Sequence, residues 1–232
     1  MKHTIMVVDD EPNVVDMLVI RLRDAGFQVF AVQDAATALS KARSESPSLI
    51  LLDLMSPRTR GLEICRELQN DVATRYIPVI IVTARAEEID KIIGLELGAD
   101  DYITKPFNPR ELILRINRSL RRTDEKPPDG EKMVIGDLVL DQARHEVRVK
   151  NRLVGLTATE FKLLALLIER RGRVQRRDSL LINVWGYENI THTRTVDTNM
   201  VRLREKLGPL GTYIETIRGV GYRITDGKLA SA

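Results

Sequence analysis

The chain has 232 residues, with 36 Lys/Arg against 33 Asp/Glu (net +3) and 43% hydrophobic residues, which suits two ordinary globular domains and excludes a disordered or fibrous chain. Apolar runs such as Leu49–Leu52 and Pro78–Val82 are too short to span a bilayer, and no signal-peptide pattern precedes the first strand-like run. The single cysteine, Cys65, excludes a disulfide framework and fits a cytoplasmic location, with no membrane partner.

The charge is uneven. Residues 1–122 hold 17 Lys/Arg and 18 Asp/Glu, whereas residues 144–206 alone hold 14 and 7. A near-neutral half joined to a basic half points to a polyanion as partner of the second half; a solvated basic surface is the blander reading, and charge alone does not separate the two.

In chain order, Thr4–Val8, Gln28–Val32, Leu49–Leu52, Val79–Val82 and Tyr102–Thr104 read as short buried strands. Between them apolar residues recur at helical spacing: Val14, Val15, Leu18, Val19 and Leu22, then Leu39 and Ala42, then Leu62, Cys65 and Leu68, then Ile89, Ile92, Ile93 and Leu97. Leu112, Ile113, Ile116 and Leu120 form the fifth such stretch. Five βα units in series predict a doubly wound parallel sheet over residues 1–122. Residues 123–132 read as a linker, within the charged stretch Arg121–Glu131 that carries Pro127-Pro128. Residues 133–227 read as an α+β domain, with 228–232 a tail. In it Val134–Leu140 and Glu146–Val149 alternate like antiparallel strands. Helices follow over Thr157–Arg170, Arg176–Val184 and Thr193–Leu207, and a hairpin turns at Arg218-Gly219-Val220-Gly221.

Chemistry gathers at the carboxyl ends of the expected parallel strands, where open α/β sheets place ligands. Asp9 and Asp10 follow the first run, Asp53 the third, Thr83 the fourth and Lys105 the fifth. Like charges about 4 Å apart repel by roughly 4 kcal/mol at an effective dielectric of 20. A hard divalent cation offsets that cost, and all-oxygen ligation favours Mg²⁺ on Asp9, Asp10 and Asp53. With Thr83 and Lys105 to hold phosphoryl oxygens, the cluster reads as an aspartyl-phosphate site with Asp53 as nucleophile.

The segments VVDDEP, LLDLMSP, IPVIIVTA, GADDYITKPF and PRELILRI resemble the receiver domain, of CheY/flavodoxin type, of OmpR/PhoB-class two-component response regulators. The resemblance implies that a sensor histidine kinase phosphorylates Asp53 and that Lys105 pairs with the phosphate beside a cis peptide before Pro106. It makes Thr83 and Tyr102 a switch pair. It also implies a homodimer on phosphorylation, paired through Lys91, Asp101, Glu111 and Arg115. The rival is a haloacid-dehalogenase-type phosphatase; it needs an acid two residues after the nucleophile, where this chain has Met55. One departure stands out. The family's Pro-Gly-x-Asp-Gly loop reads Pro57-Arg58-Thr59-Arg60-Gly61, placing two arginines beside the site. They are expected to favour an anionic phosphodonor or a longer-lived acyl phosphate, unless both point into water.

On Thr193–Leu207, Val196, Met200, Leu203 and Leu207 form one apolar face, leaving Thr195, Thr198, Asn199, Arg202 and Lys206 as the expected front. Such a front suits the major groove of double-stranded DNA; an ordinary solvated helix face is the blander reading, against which the short upstream helix Arg176–Val184 and the Arg218–Gly221 hairpin weigh. The segments LTATEFKLLALLIERRGRVQRRDSLLINVWG, RTVDTNMVRLREKL and IETIRGVGYRI resemble the winged helix-turn-helix effector domain of the same class. That resemblance implies base reading by Arg202 and Asn199, with Thr195, Arg204 and Lys206 near the DNA backbone. It places Arg218 in the minor groove, two chains on direct-repeat half-sites, and RNA polymerase against the loop Trp185–His192. The expectation as a whole is a phosphorylation-controlled transcription regulator, not a metabolic enzyme.

Overall fold

The computed structural model describes residues 3–54, 60–84, 98–124, 132–186 and 193–226. The helix read around Ile89–Leu97 with Lys91, the loop residues Met55 and Arg58, and the loop 187–192 lie outside the described residues. Cα packing divides the chain into two compact units, Met1–Glu125 and Lys126–Ala232. Among the described residues no helix is long and apolar enough to cross a membrane.

The first unit is built on β1 (Thr4–Val8), β2 (Gln28–Val32), β3 (Leu49–Leu52), β4 (Val79–Thr83) and β5 (Asp101–Thr104). All pairs are parallel, in the order β2-β1-β3-β4-β5. Helices α1 (Pro12–Asp24), α2 (Ala35–Glu45), α3 (Gly61–Asn70) and α4 (Pro109–Asp124) cover it. Side chains alternate across a strand with period two, so each strand feeds two cores. Ile5, Val7, Leu49, Leu51, Ile80 and Val82 pack with Leu18 and Leu22 of α1 and Ile116 and Leu120 of α4. Met6, Val8, Ile50, Leu52 and Val79 pack with Ala38 and Ala42 of α2 and Ile64, Cys65 and Leu68 of α3. Burial, with Asp100 nearby, pushes the Cys65 thiol up to about 12, so it is an inert core group.

Local signals set the helix ends. Pro12 sits in the first turn of α1, where its missing N–H costs nothing. Asp34 caps α2 by accepting the Thr37 N–H at 2.9 Å. Helix α4 runs to Asp124, two residues into the stretch read as linker. No glycine or proline interrupts the chain before Pro127, so backbone bonding carries on.

The second unit opens with an antiparallel sheet of β6 (Met133–Ile135), β7 (Leu138–Asp141), β8 (Glu146–Val149) and β9 (Arg152–Val154). The single strand expected over Val134–Leu140 is two, because Gly136 takes φ +56° and turns the chain with Asp137. Then come α5 (Ala158–Glu169), β10 (Gln175–Arg176), α6 (Arg177–Val184) and α7 (Thr193–Leu207). A 3₁₀ turn, Gly208–Tyr213, leads into β11 (Ile214–Ile217) and β12 (Gly221–Ile224), which pair in the order β10-β12-β11. Leu163, Leu164, Leu180, Leu181, Val196, Met200 and Leu203 form the buried interior, and Trp185 is fully enclosed as a core anchor. This is a winged helix preceded by a β-platform.

Gly61 opens α3 directly against the end of β3. A Cβ there would fall on the carbonyl oxygen of Asp53 and 2.6 Å from the Cα of Leu54. Gly61→Ala is expected to cost about 1–3 kcal/mol by overpacking. Chemical denaturation of the first unit checks this, and an unchanged midpoint refutes the close approach.

Candidate functional sites

The sheet ladder runs one residue past the strands at the site. Asp9 N–H donates to Val32 O at 3.2 Å, Asp53 N–H to Val8 O at 2.9 Å, and Lys105 N–H to Thr83 O at 2.8 Å. These bonds fix the backbones of the residues that carry the chemistry. Lys105 Nζ then reaches Asp9 Oδ2 at 2.8 Å and Asp53 Oδ2 at 2.9 Å, with Glu11 Oε1 at 3.6 Å. The Lys105–Pro106 bond is cis. Burial raises the Asp9 carboxyl above the usual range, although Lys105 and the Glu11 N–H, bonded to Asp9 Oδ1 at 2.9 Å, act against it. Burial alone would lower Lys105; its hydrogen bonds to Asp9 and Asp53 outweigh that and raise it. One carboxylate oxygen from each of Asp9, Glu11 and Asp53 lies within 4.8 Å of the others, a hard-oxygen set that suits a divalent cation. Asp10, half-buried, stands beside this group and outside it. Glu11 was missed in the sequence, where it reads only as the residue before Pro12.

Thr83 is fully buried at the end of β4. Tyr102, in register with Ile81, is also buried, packed with Ile81 and Ala99 and against Leu54. Arg115 donates to both oxygens of Asp101, at 2.8 and 3.0 Å, and to Glu111 Oε1 at 2.8 Å. These residues of the expected dimer surface therefore pair within one chain. Arg60 takes φ +45° at the start of α3 and turns its guanidinium to Glu63 at 3.2 Å, with 69% of the side chain exposed.

Helix α7 corrects the expected DNA-reading face. Thr195 and Asn199 are 0% and 1% exposed, and Asn199 Nδ2 donates back to Thr195 O at 2.9 Å. Enclosed side chains cannot read base edges. Arg204 is spent on the wing strand: it donates to Ile214 O at 3.0 and 2.6 Å and to Thr216 Oγ1 at 2.8 Å. Lys206 donates to Glu160 Oε2 at 2.6 Å. Glu160 is buried and also closes the α5 capping box, accepting the Thr157 N–H at 2.8 Å. Arg194, Val201 and Glu205 are exposed and Thr198 and Arg202 half-buried along one helical face, with Val201 52% exposed; Lys206 is exposed too, but its ammonium is held by Glu160. Arg218 stands exposed on the wing turn. Arg194, Val201 and Glu205 were missed, although a full helical wheel centred on the apolar stripe would have found them.

A phosphate-type acidic site at the strand ends of one unit and a winged helix in the other define a signal-controlled DNA-binding protein. Two family models agree: "Response regulator receiver domain" matches residues 5–117, and "Transcriptional regulatory protein, C terminal" matches residues 151–224. The chain belongs to the two-component response regulators of the OmpR/PhoB class, which are phosphorylation-controlled transcription regulators. It is 41% identical over 242 positions to the alkaline phosphatase synthesis transcriptional regulatory protein PhoP of Bacillus subtilis, covering 99% of both chains. It is 40% identical to the DNA-binding response regulator MtrA of Mycolicibacterium smegmatis, covering 96% of this chain and 97% of that one. The solved structure of a RitR mutant aligns with a TM-score of 0.75 and 28% identity, over 96% of this chain and 98% of that one. The family is one of regulators, which sets the phosphatase reading aside.

Lys206→Ala should act on stability and not on DNA contact. It strips the buried Glu160 of its counter-charge, at a cost of about 1–2 kcal/mol, while leaving the salt slope of DNA binding unchanged. Thermal unfolding and a salt titration of binding check this; a slope reduced by about 1 restores Lys206 to the DNA.

Proposed function

We propose that Asp53 accepts a phosphoryl group from a phosphohistidine on a sensor histidine kinase. A carboxylate oxygen of Asp53 attacks phosphorus, the N–P bond breaks, and the departing imidazole takes up a proton. The observation that carries this reading is the single ammonium of Lys105 shared by Asp9 and Asp53 at 2.8 and 2.9 Å. Asp9, Asp10 and Asp53 would hold Mg²⁺, with Glu11 beside them, and the ion supplies charge neutralisation at the phosphoryl oxygens. Lys105 follows the new negative charge from carboxylate to phosphate. Thr83 offers its hydroxyl to another phosphate oxygen, and Tyr102 keeps its ring inward as the matching half of the switch.

The receiver spans residues 1–122 and the effector 133–227. Phosphorylation favours a homodimer through Lys91, Asp101, Glu111 and Arg115. Arg115 already pairs with Asp101 and Glu111 inside the chain, so dimerisation exchanges these bonds for ones between chains. Each such pair contributes within about 1 kcal/mol, so the preference rests on the network. In the effector, α7 enters the major groove with Arg202 as the principal base reader. Arg194, Thr198, Val201 and Glu205 lie along the same surface, and Arg218 enters the minor groove. Two chains occupy direct-repeat half-sites, and the loop after Trp185 faces RNA polymerase. The cytoplasm is the setting for all of these partners.

Asp53→Asn is expected to abolish labelling by a small phosphodonor, as is chelation of Mg²⁺; stoichiometric labelling of the variant sinks the assignment. Glu111→Lys should weaken phosphorylation-driven dimerisation, read by light scattering, and an unchanged dimer fraction refutes that surface. Arg202→Ala should cost about 1–3 kcal/mol on a selected duplex and relax one base preference. Uniform loss on all sequences would identify Arg202 as a phosphate contact instead.

A further inference from the structure

The wing and the recognition helix meet at one aromatic ring. Tyr222 on β12 is buried, and its hydroxyl donates to Asp197 Oδ1 of α7 at 2.6 Å. Arg177, the first residue of α6, donates from Nε to the same oxygen at 2.7 Å. Its guanidinium stands 5.0 Å from the centre of the Tyr222 ring, and that of Arg204 stands 5.5 Å from it. Arg204 is in turn bonded to Ile214 and Thr216 of β11, and Thr216 is the cross-strand partner of Tyr222. Two cations, one anion and one phenol thus join three elements: α6, α7 and the hairpin.

The backbone closes the same joint. Tyr222 also pairs with Gln175 of β10, the strand that runs straight into α6. A Cβ on Gly221 would fall on the carbonyl oxygen of Gln175. The base of the hairpin therefore cannot slide along β10. Above that base the chain has no such support: Arg218, Gly219 and Val220 are exposed. On the other side, Asp197 directly precedes Thr198 on the outward face of α7. The joint links that face to the base of the wing, beside the bonds of Arg204 to Ile214 and Thr216.

We propose that Tyr222, Asp197 and Arg177 are positioning residues for DNA recognition: they fix the wing against α7, so that Arg218 and the α7 side chains engage two grooves as one preset unit. The inference rests on the reading of α7 and Arg218 as DNA contacts. Tyr222→Phe keeps the ring and the cation–π contacts and removes the hydroxyl that bonds Asp197 beside Arg177. The gain from presetting is entropic: a wing already in place loses less freedom on binding. Its signature is coupling between the joint and the wing contact.

The test is a double-mutant cycle of Y222F and R218A in the full chain, on a duplex selected by the wild type from a random pool. Y222F is expected to weaken binding roughly tenfold, R218A to weaken it also, and the double variant to bind no worse than about the weaker single one. Y222F with R202A should be additive, because the helix contact does not need the wing. Asp197→Asn with R218A repeats the cycle from the other side of the bond, should Y222F lower the folded fraction seen by circular dichroism. A purely structural role predicts equal, additive losses in both cycles, and that result overturns the proposal. So does full affinity of Y222F. An R218A single variant that binds like the wild type overturns the wing reading itself, and is distinct from an additive cycle in which R218A does cost affinity.

Discussion

The receiver unit turns on one ammonium group held between two carboxylates. Asp9 and Asp53 are carried to one edge of the sheet by parallel strands that share a register, Val8 opposite Leu52. At close range and low dielectric such a pair repels by several kcal/mol. Lys105, arriving from β5 across the width of β4, offsets that repulsion with bonds of 2.8 and 2.9 Å. The consequence is chemical as well as structural. Any cation that enters the acidic group competes with the ammonium, and any anion that forms on Asp53 gives the ammonium somewhere to go. A site held together by a movable charge is ready for a reaction that changes the charge.

Much of this was legible in the sequence, for a simple reason. A parallel strand buried on both faces is a short continuous apolar run, so β1 and β3 could be bounded to the residue, and β2, though a half-buried edge strand, keeps enough of that run to be bounded too. Once the strands are bounded, the residues after them must share the sheet's carboxyl edge, and Asp9, Asp53, Thr83 and Lys105 follow. Glu11 was not legible. Its carboxylate reaches Lys105 only because the chain bends back over Asp9 Oδ1, a local turn without apolar periodicity. The break at Gly136 was missed for a related reason: alternation continues across Gly136 and Asp137, and only the positive φ reveals the turn.

On the recognition helix polarity does not mark exposure. Its apolar stripe of Val196, Met200, Leu203 and Leu207 is narrow, but α7 packs against α5, α6 and the 3₁₀ turn at once. A helix with three neighbours needs a buried arc wider than its apolar stripe. Thr195 and Asn199 flank the stripe and are drawn inside. Asn199 satisfies part of its polar inventory locally, on the carbonyl one turn back, which lets an amide be buried at modest cost. The true outward face is centred opposite the whole buried arc, which brings Arg194 and Val201 forward.

The same distinction refines what a basic segment means. Residues 144–206 carry twice as many cations as anions, which points to a polyanion. Yet Arg148, Arg171, Arg176, Arg177 and Lys206 are each bonded to a carboxylate within the unit. Arg170 and Arg204 are spent on an amide and on backbone oxygens. Such cations shape the fold, and their charge is largely answered at home. Arg144, Lys150, Arg152, Arg173, Arg194, Arg202 and Arg218 make no ion pair among the described residues, and of these Arg194, Arg202 and Arg218 belong to the recognition helix and the wing turn. Counterion release from DNA counts cations brought to phosphates, not net charge. The salt dependence of binding should therefore follow those unpaired cations that reach phosphates, and not the excess charge that first marks the domain as basic.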